Sequence, residues 1–310
     1  MYVVDPGHKR TAAEIPQIPK VNIVFFFKID YHLYITFTKE LINLRYYVLD
    51  RGDPLSVELT QQFHKLAEQR GFVLDAESPE IVVSIGGDGT MLHAFHTFID
   101  RIPDLAFVGV HTGHLGFYAD WKADELTELI DHMSGEGEHS GMKPRLVKYP
   151  LVQLEIHKKS GTSSYIALNE FTLKGVDGTV VAQIDINDVT FEMFRGDGIC
   201  VSTPSGSTAY NKSVGGAMVH PSIDALQIAE IASINNRIFR TLGSPLLLPK
   251  HHHCDIFSRK EQRLLLTIDH VNISIDDLVS VRCQVAEQQV SFARYRPFPF
   301  WNRVRDAFLG

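Results

Sequence analysis

"VVSIGGDGTMLHAF", residues 82–95, is an apolar run, a glycine-rich loop and a helix-patterned segment in direct succession. A buried strand that ends in glycines and opens a helix presents bare backbone N–H groups and the positive end of a helix dipole, a site suited to anions. Gly86 to Thr90 have neither the Lys-Ser/Thr ending of a P-loop nor the spacing of a dinucleotide fingerprint. They have instead a carboxylate, Asp88, between Gly87 and Gly89. Neighbouring phosphates push the pKa of such a group up, and a nearby metal or arginine pushes it down. Both pressures suit one task, which is accepting a proton from a hydroxyl as that hydroxyl attacks a phosphoryl group. The plainer alternative is a helix N-cap, a role open to Thr90 as well.

On either side of this loop, strands and helices alternate. "YYVLD" (46–50) reads as a strand, and "DPLSVELTQQFHKLAEQRG" (53–71) as a helix with Leu59, Phe63 and Leu66 at helical spacing and Gly71 closing it. "EIVVSI" (80–85) and "LAFVGV" (105–110) are buried strands; a helix follows the loop to about Asp100, and another covers 123–133. That order implies a small parallel sheet with helices on its faces. After a linker, "SGEGEHSG" (134–141), the pattern turns to hairpins. "YPLVQLEIH" and "SSYIALNEFTLKG" flank "KKSG", and "VVAQIDI" and "VTFEMF" flank "ND". Further strands are expected at 263–269, 271–275, 280–285 and 289–295.

Composition sets outer limits. The chain has 310 residues, 44% hydrophobic and 22% charged, the profile of a globular protein of one or two domains. A net charge of -7 speaks against general nucleic-acid binding. Its three cysteines are few and far apart, so no disulfide framework is expected and a reducing compartment suits it. The apolar stretch at 21–37 is interrupted by Lys28 and Asp30, too broken for a membrane span, and no small-residue cleavage pattern follows it. A cytoplasmic location is expected. Adjacent histidines in "HHHC" (251–254) point to opposite faces of a strand and do not converge on an ion. His93 and His96 have helical spacing but no third ligand nearby.

Two other stretches carry chemistry. In "ALNEFTLK" (167–174), Asn169 and Glu170 interrupt an apolar strand. In "FRGDGICVSTPSGSTAYNKSVGG" (194–216), Arg195 and Asp197 precede a loop of hydroxyls and small residues fit for a sugar and an adenine edge. Each alone has a bland reading. Together with GGDGT, and with "HTGHLGFYADW" (111–121) between, they resemble the NAD kinase family from about Tyr46 to about Trp301.

The resemblance implies an α/β N-terminal domain with a Rossmann-like parallel sheet, and a β-rich, sandwich-like C-terminal domain. The division it suggests is an α/β domain at 44–143, a β-rich NAD-binding domain at 144–290, and a segment at 291–310 returning to the first. The implied reaction moves the γ-phosphoryl group of ATP to the 2′-hydroxyl of the adenosine ribose of NAD, giving NADP. Asp88 would be the proton acceptor, lying with Gly89 against that ribose. Asn169 and Glu170 would meet the adenosine side. Thr208, Ala209, Tyr210, Asn211, Lys212 and Ser213 would wrap the adenine, with Tyr210 as a wall. Asp197 and Ala232 would hold the nicotinamide end, and Arg195 the new 2′-phosphate. Some members accept inorganic polyphosphate, and homotetramers are common. Magnesium or another divalent cation is expected from the charge of the triphosphate. A lipid or sugar kinase is disfavoured by the dinucleotide motifs, and a silent NAD(P) sensor by the retention of Asp88.

Two features depart from the pattern. Where many relatives have Asp-Gly in a late strand, this chain has Asp269-His270, which puts an imidazole near the donor end. Residues 1–43 precede the usual start and have aromatic clusters but no evident partner strands. A purine run encoding Lys39-Glu40 and a UUG codon at Leu44 would make Leu44 the natural start, which is the expectation here; a family-specific arm is the alternative.

Overall fold

The computed structural model describes residues 22–24, 38–40, 43–114, 116–135 and 144–310. The chain divides into two units, 1–43 and Leu44–Gly310. In the first, Asn22–Val24 pairs antiparallel with Thr38–Glu40, a pairing that the sequence pattern did not reveal. The other residues of that unit up to 42, and most of what bears on a start at Leu44, lie outside the described residues.

The second unit begins with parallel strands Arg45–Asp50, Ile81–Gly86 and Ala106–His111. The last two are buried at every position, as expected for apolar runs covered on both faces. Alternation assigns their side chains to two cores. Val83 and Ile85 pack with Leu59 and Phe63 of helix Pro54–Gln69 and with Leu129 of helix Leu126–Ser134. Val82 and Phe107 face the other way, onto Met91 and Phe95 of helix Asp88–Thr97. The first helix opens on Asp53, whose side chain accepts the Ser56 N–H at 3.3 Å, and Gly71 at φ +77° follows its end. The helix after the glycine loop stops at Thr97, short of the expected Asp100, and Ile99–Asp104 continues as a 3₁₀ turn.

Two antiparallel sheets follow. One runs Leu246–Pro249, Ala225–Ile231, Gly198–Ser202, Glu170–Gly175, Leu264–Ile268, Val271–Ile275. The other contains Val189–Gly196, Val180–Ile186, His253–Ser258, Leu278–Arg294, Arg145–Lys158 and Gly161–Ala167. Phe171, Phe194, Ile199, Ile256, Leu266 and Val281 fill the space between them. The α/β fold joined to a β-rich sandwich is therefore present. The "ND" hairpin is also there, with Asn187 and Asp188 both at positive φ, 50° and 63°.

Two strand expectations are corrected. The strands read at 280–285 and 289–295 are one, Leu278–Arg294, with a register shift between Val285 and Gln289. Its far end runs parallel to Ala106–Phe107, so the parallel sheet continues into the antiparallel one. The segment read as a single strand, "SSYIALNEFTLKG", breaks at Leu168–Asn169. Gly161–Ala167 stays in the large sheet and Glu170–Gly175 joins the six-stranded one. Backbone N–H groups released at such a corner need acceptors, and the Asp269 carboxylate supplies them at Leu168 (2.9 Å), Asn169 (2.7 Å) and Glu170 (3.3 Å). Among the described residues no helix is long and apolar enough to cross a membrane.

Candidate active site

Asp88 stands at the first turn of its helix but does not cap it. Gly87 is the N-cap residue, and Thr90, three positions on, accepts its N–H through Oγ1 at 3.3 Å. The Asp88 carboxylate turns instead to residues 116–118. It accepts the Phe117 N–H at 3.1 and 2.9 Å and the Tyr118 N–H at 3.1 Å. Gly116 is what permits this approach, because a Cβ there would lie 2.2 Å from Asp88 Oδ1. Burial pushes the carboxyl pKa up; the two N–H groups and the charge of Arg303 oppose it. The net direction is upward, as suits a base that must hold a proton in passing near neutrality.

Tyr118 links this carboxylate to the sheet-changing corner. Its backbone N–H reaches Asp88, and its hydroxyl donates to Asn169 Oδ1. The Asn169 carbonyl side is thus occupied, which leaves its NH₂ as the group to offer a ligand. Thr203 stitches the opposite loop to the same corner, donating from Oγ1 to the Leu168 carbonyl at 2.6 Å and from its N–H to the Asn169 carbonyl at 2.8 Å. Glu170 is 9% exposed and its Oε2 has no hydrogen-bond partner among the described residues. Its pKa is pushed up to about 8, chiefly by burial and then by Asp269. A carboxyl whose folded pKa lies above its unfolded value is stabilising when protonated, and that stability is lost as pH rises from about 4.5 to about 8. Glu170→Gln is therefore expected to raise the melting temperature at pH 8 by roughly 3–6 °C and to match the parent near pH 5. Equal melting curves at both pH values would contradict a buried, strained carboxyl.

The remaining sequence-predicted residues lie along the adjoining strands. Glu170–Gly175 pairs with Gly198–Ser202, Glu170 opposite Ser202 and Lys174 opposite Gly198, and the Gly175 N–H donates to the Asp197 carbonyl at 3.2 Å. Glu170 and Asp197 thus mark opposite ends of one strand, on the order of 15 Å apart, a span that fits an extended dinucleotide. Asp197 is exposed, beside exposed Ala232 at φ +47°. Positive φ at an alanine is strain of the kind found at ligand clamps. Arg195 donates from Nε to Thr179 Oγ1 at 3.1 Å and lies 5.4 Å from the Phe239 ring centroid. It makes no bond to Asp197 among the described residues.

In the loop, Ser205–Thr208 forms a 3₁₀ turn and Tyr210–Ser213 one helical turn. Tyr210 is half-buried beneath the Lys174 ammonium, 4.3 Å from its ring centroid. Thr208 and Asn211 turn inward. Thr208 bonds the Ser205 carbonyl at 3.3 Å, and Asn211, fully buried, reaches the Ser207 and Ala217 carbonyls at 3.4 Å. Ala209 closes the turn by its N–H to the Gly206 carbonyl (2.9 Å). Lys212 and Ser213 are exposed, with the Lys212 ammonium 4.3 Å from the Phe308 ring centroid.

On the other side of Gly89, a cleft of about 420 Å³ is lined by Asp50, Arg51, Gly87, Gly89, Thr90 and His93. His270 lies edge-on to His96 (5.0 Å) and His93 (6.0 Å), and His96 Nε2 meets Asp269 Oδ2 at 2.8 Å. Spacing alone gave no reason to gather these three rings. Among the described residues, Asp188, His253 and Asp255 form one group with ligand atoms within 4.8 Å. Arg282 already holds both carboxylates, at 2.8 Å to Asp255 and 3.0 Å to Asp188, so the group is an ion-pair network.

Two solved structures share this architecture. Yeast NADH kinase complexed with NADH matches with a TM-score of 0.71 at 18% identity, over 93% of each chain. An NAD kinase from Archaeoglobus fulgidus in complex with ATP matches with a TM-score of 0.66 at 20% identity, over 85% of this chain and 97% of that one. At such identities the likeness speaks for the fold alone. Sequence carries it further. The model of the ATP-NAD kinase N-terminal domain matches residues 57–138, and that of the C-terminal domain residues 168–295. NAD kinase 1 of Bacillus subtilis (strain 168) is 51% identical over 269 residues, 86% of this chain and 99% of its own length. NAD kinase of Geobacillus stearothermophilus is 48% identical over 264 residues, 84% of this chain and 95% of its own. The chain belongs to the NAD kinase family and is a phosphotransferase.

Proposed function

We propose that this NAD kinase transfers the γ-phosphoryl group of ATP to the 2′-hydroxyl of the adenosine ribose of NAD, giving NADP, with Asp88 as the proton acceptor. The observation that carries the reading is the Asp88 carboxylate, partly buried and held by two backbone N–H groups between the glycine-loop cleft and the Asn169–Glu170 corner. The adenosine ribose lies against Asp88 and Gly89. Asn169 donates from its NH₂, and Glu170 Oε2, without a hydrogen-bond partner among the described residues, accepts from the nucleotide. Ala209, Tyr210, Lys212 and Ser213 line the adenine, while Thr208 and Asn211 shape the loop from within. Asp197 and the Ala232 backbone hold the nicotinamide end.

The donor phosphates occupy the cleft at the helix N-terminus. Arg51, His93, Thr90 and the N–H groups of the first turn offer donors to phosphate oxygens there, beside the Asp50 carboxylate. A divalent cation, magnesium by its taste for phosphate oxygens, arrives with the triphosphate as part of the donor. Inorganic polyphosphate offers the same oxygens and is a candidate donor for the same cleft. The division into an α/β domain at 44–143, a β-rich domain at 144–290 and a returning segment at 291–310, a homotetrameric assembly and a cytoplasmic location complete the proposal. Phosphoryl transfer to NAD, assayed with ATP and with polyphosphate in turn, tests it; no NADP formed with either donor would refute it.

Arg195→Ala is expected to weaken NADP at least tenfold more than NAD. A guanidinium pairs the dianionic 2′-phosphate through charge-assisted hydrogen bonds, and NAD lacks that group. Calorimetric titration with both dinucleotides decides. Equal losses would make Arg195 a support for Thr179 and Phe239 only.

A further inference from the structure

The stretch that holds Asp88 is itself held from the C-terminus. Arg303, on helix Phe300–Phe308, donates from Nη1 to the carbonyls of Gly116 (2.9 Å) and Ala119, and its Nη2 meets Asp120 Oδ1 at 2.8 Å. Arg294, which ends the long strand, takes the other Asp120 oxygen at 2.7 Å and the Tyr118 carbonyl at 3.2 Å. These arginines are 8% and 4% exposed and lie 4.3 and 4.1 Å from the Phe298 ring centroid. Phe117 stacks on Phe308 of the same helix, ring centroids 5.8 Å apart. Residues 116–120 thus direct N–H groups toward Asp88 and carbonyls toward two buried guanidinium groups.

We propose that Arg303 is a positioning residue for phosphoryl transfer: it fixes residues 116–120 so that Asp88, and Asn169 through Tyr118, are presented together to the acceptor ribose. The proposal rests on Asp88 as proton acceptor. Its physical basis is that a loop without such ties lets the carboxylate wander, and a displacement of about 1 Å at a reacting group costs on the order of 10²-fold in rate. The charge also matters. The Arg303 guanidinium opposes the upward push of burial on Asp88.

The test compares Arg303→Met and Arg303→Lys with the parent, in the full chain, across pH. Arg303→Met is expected to lower kcat roughly 10- to 100-fold and to move the acid limb of the kcat profile to higher pH, with KM for ATP little changed. Arg303→Lys keeps the charge and loses the fork, so the limb stays near its place while kcat still falls. An unchanged kcat, or an equal fall at every pH in Arg303→Met, overturns the proposal. If Arg303→Met does not fold, Arg303→Lys alone carries the test: its kcat should fall with the acid limb near its place, and a wild-type kcat there also overturns the proposal. In an Asp88→Asn background Arg303→Lys should add a smaller loss than it does in the parent. A full multiplicative loss in that background removes the positioning role but leaves Asp88 as base. A wild-type rate for Asp88→Asn alone removes the base reading itself.

Discussion

Asp88→Asn is expected to reduce phosphoryl transfer to NAD by roughly two to four orders of magnitude, the usual contribution of a general base. The amide nearly preserves the shape of the carboxylate, and its oxygen still accepts an N–H from Phe117 or Tyr118. It cannot take up the proton of the ribose hydroxyl. NAD affinity should therefore change little, because the ground-state contacts are mostly kept. Stopped assays with ATP and NAD, together with calorimetric titration of NAD, separate the two quantities. Intact binding with a near wild-type rate would show that the hydroxyl loses its proton by another route.

Gly206→Ala is expected to act through the backbone alone and to lower both stability and NAD affinity. A Cβ at this position would lie 2.0 Å from the Asn169 carbonyl oxygen and 2.6 Å from its Cα. Neither can swing away as a side-chain tip could, so the 205–208 turn or the sheet-changing corner must move. Overpacking of this kind costs about 1–3 kcal/mol or more. The displaced corner carries Asn169 and Glu170, so NAD affinity should fall more than tenfold. Thermal unfolding and NAD titration of the variant measure the two effects. Wild-type values in both would mean that the corner and the turn are not in register as described.

The glycine loop, the parallel strands around it and the hairpin at Asn187–Asp188 could be read from residue order because their signals are local. A helix N-terminus after a buried strand, or two positive-φ residues between alternating runs, is decided within a few positions. The corner at Leu168–Asn169 was not readable in the same way. "SSYIALNEFTLKG" keeps an apolar pattern across the break, and what divides it is the Asp269 carboxylate, about a hundred residues away in the chain. The long strand Leu278–Arg294 hid for the opposite reason: a local irregularity near 285–289 looked like a turn, yet Arg145–Lys158 pairs with it on both sides.

Sequence by itself determined the chemistry on offer: a carboxylate in an anion loop, a polar pair in an apolar run, a hydroxyl-rich loop, and the order in which they occur. Tertiary structure alone decided how they are aimed. Gly87, not Asp88, is the N-cap, with Thr90 accepting its N–H; Tyr118 ties Asp88 to Asn169; Asn211 faces inward; and three histidines from two distant segments meet beside the cleft. The role of "HTGHLGFYADW" also emerged only here, since its N–H groups serve one end of the site and its carbonyls serve Arg294 and Arg303 from the chain's end. The physical reason is common to all of these. Residue type and spacing set which groups can donate, accept or titrate, but the direction of a hydrogen bond and the burial that shifts a pKa depend on neighbours that sequence separation does not reveal.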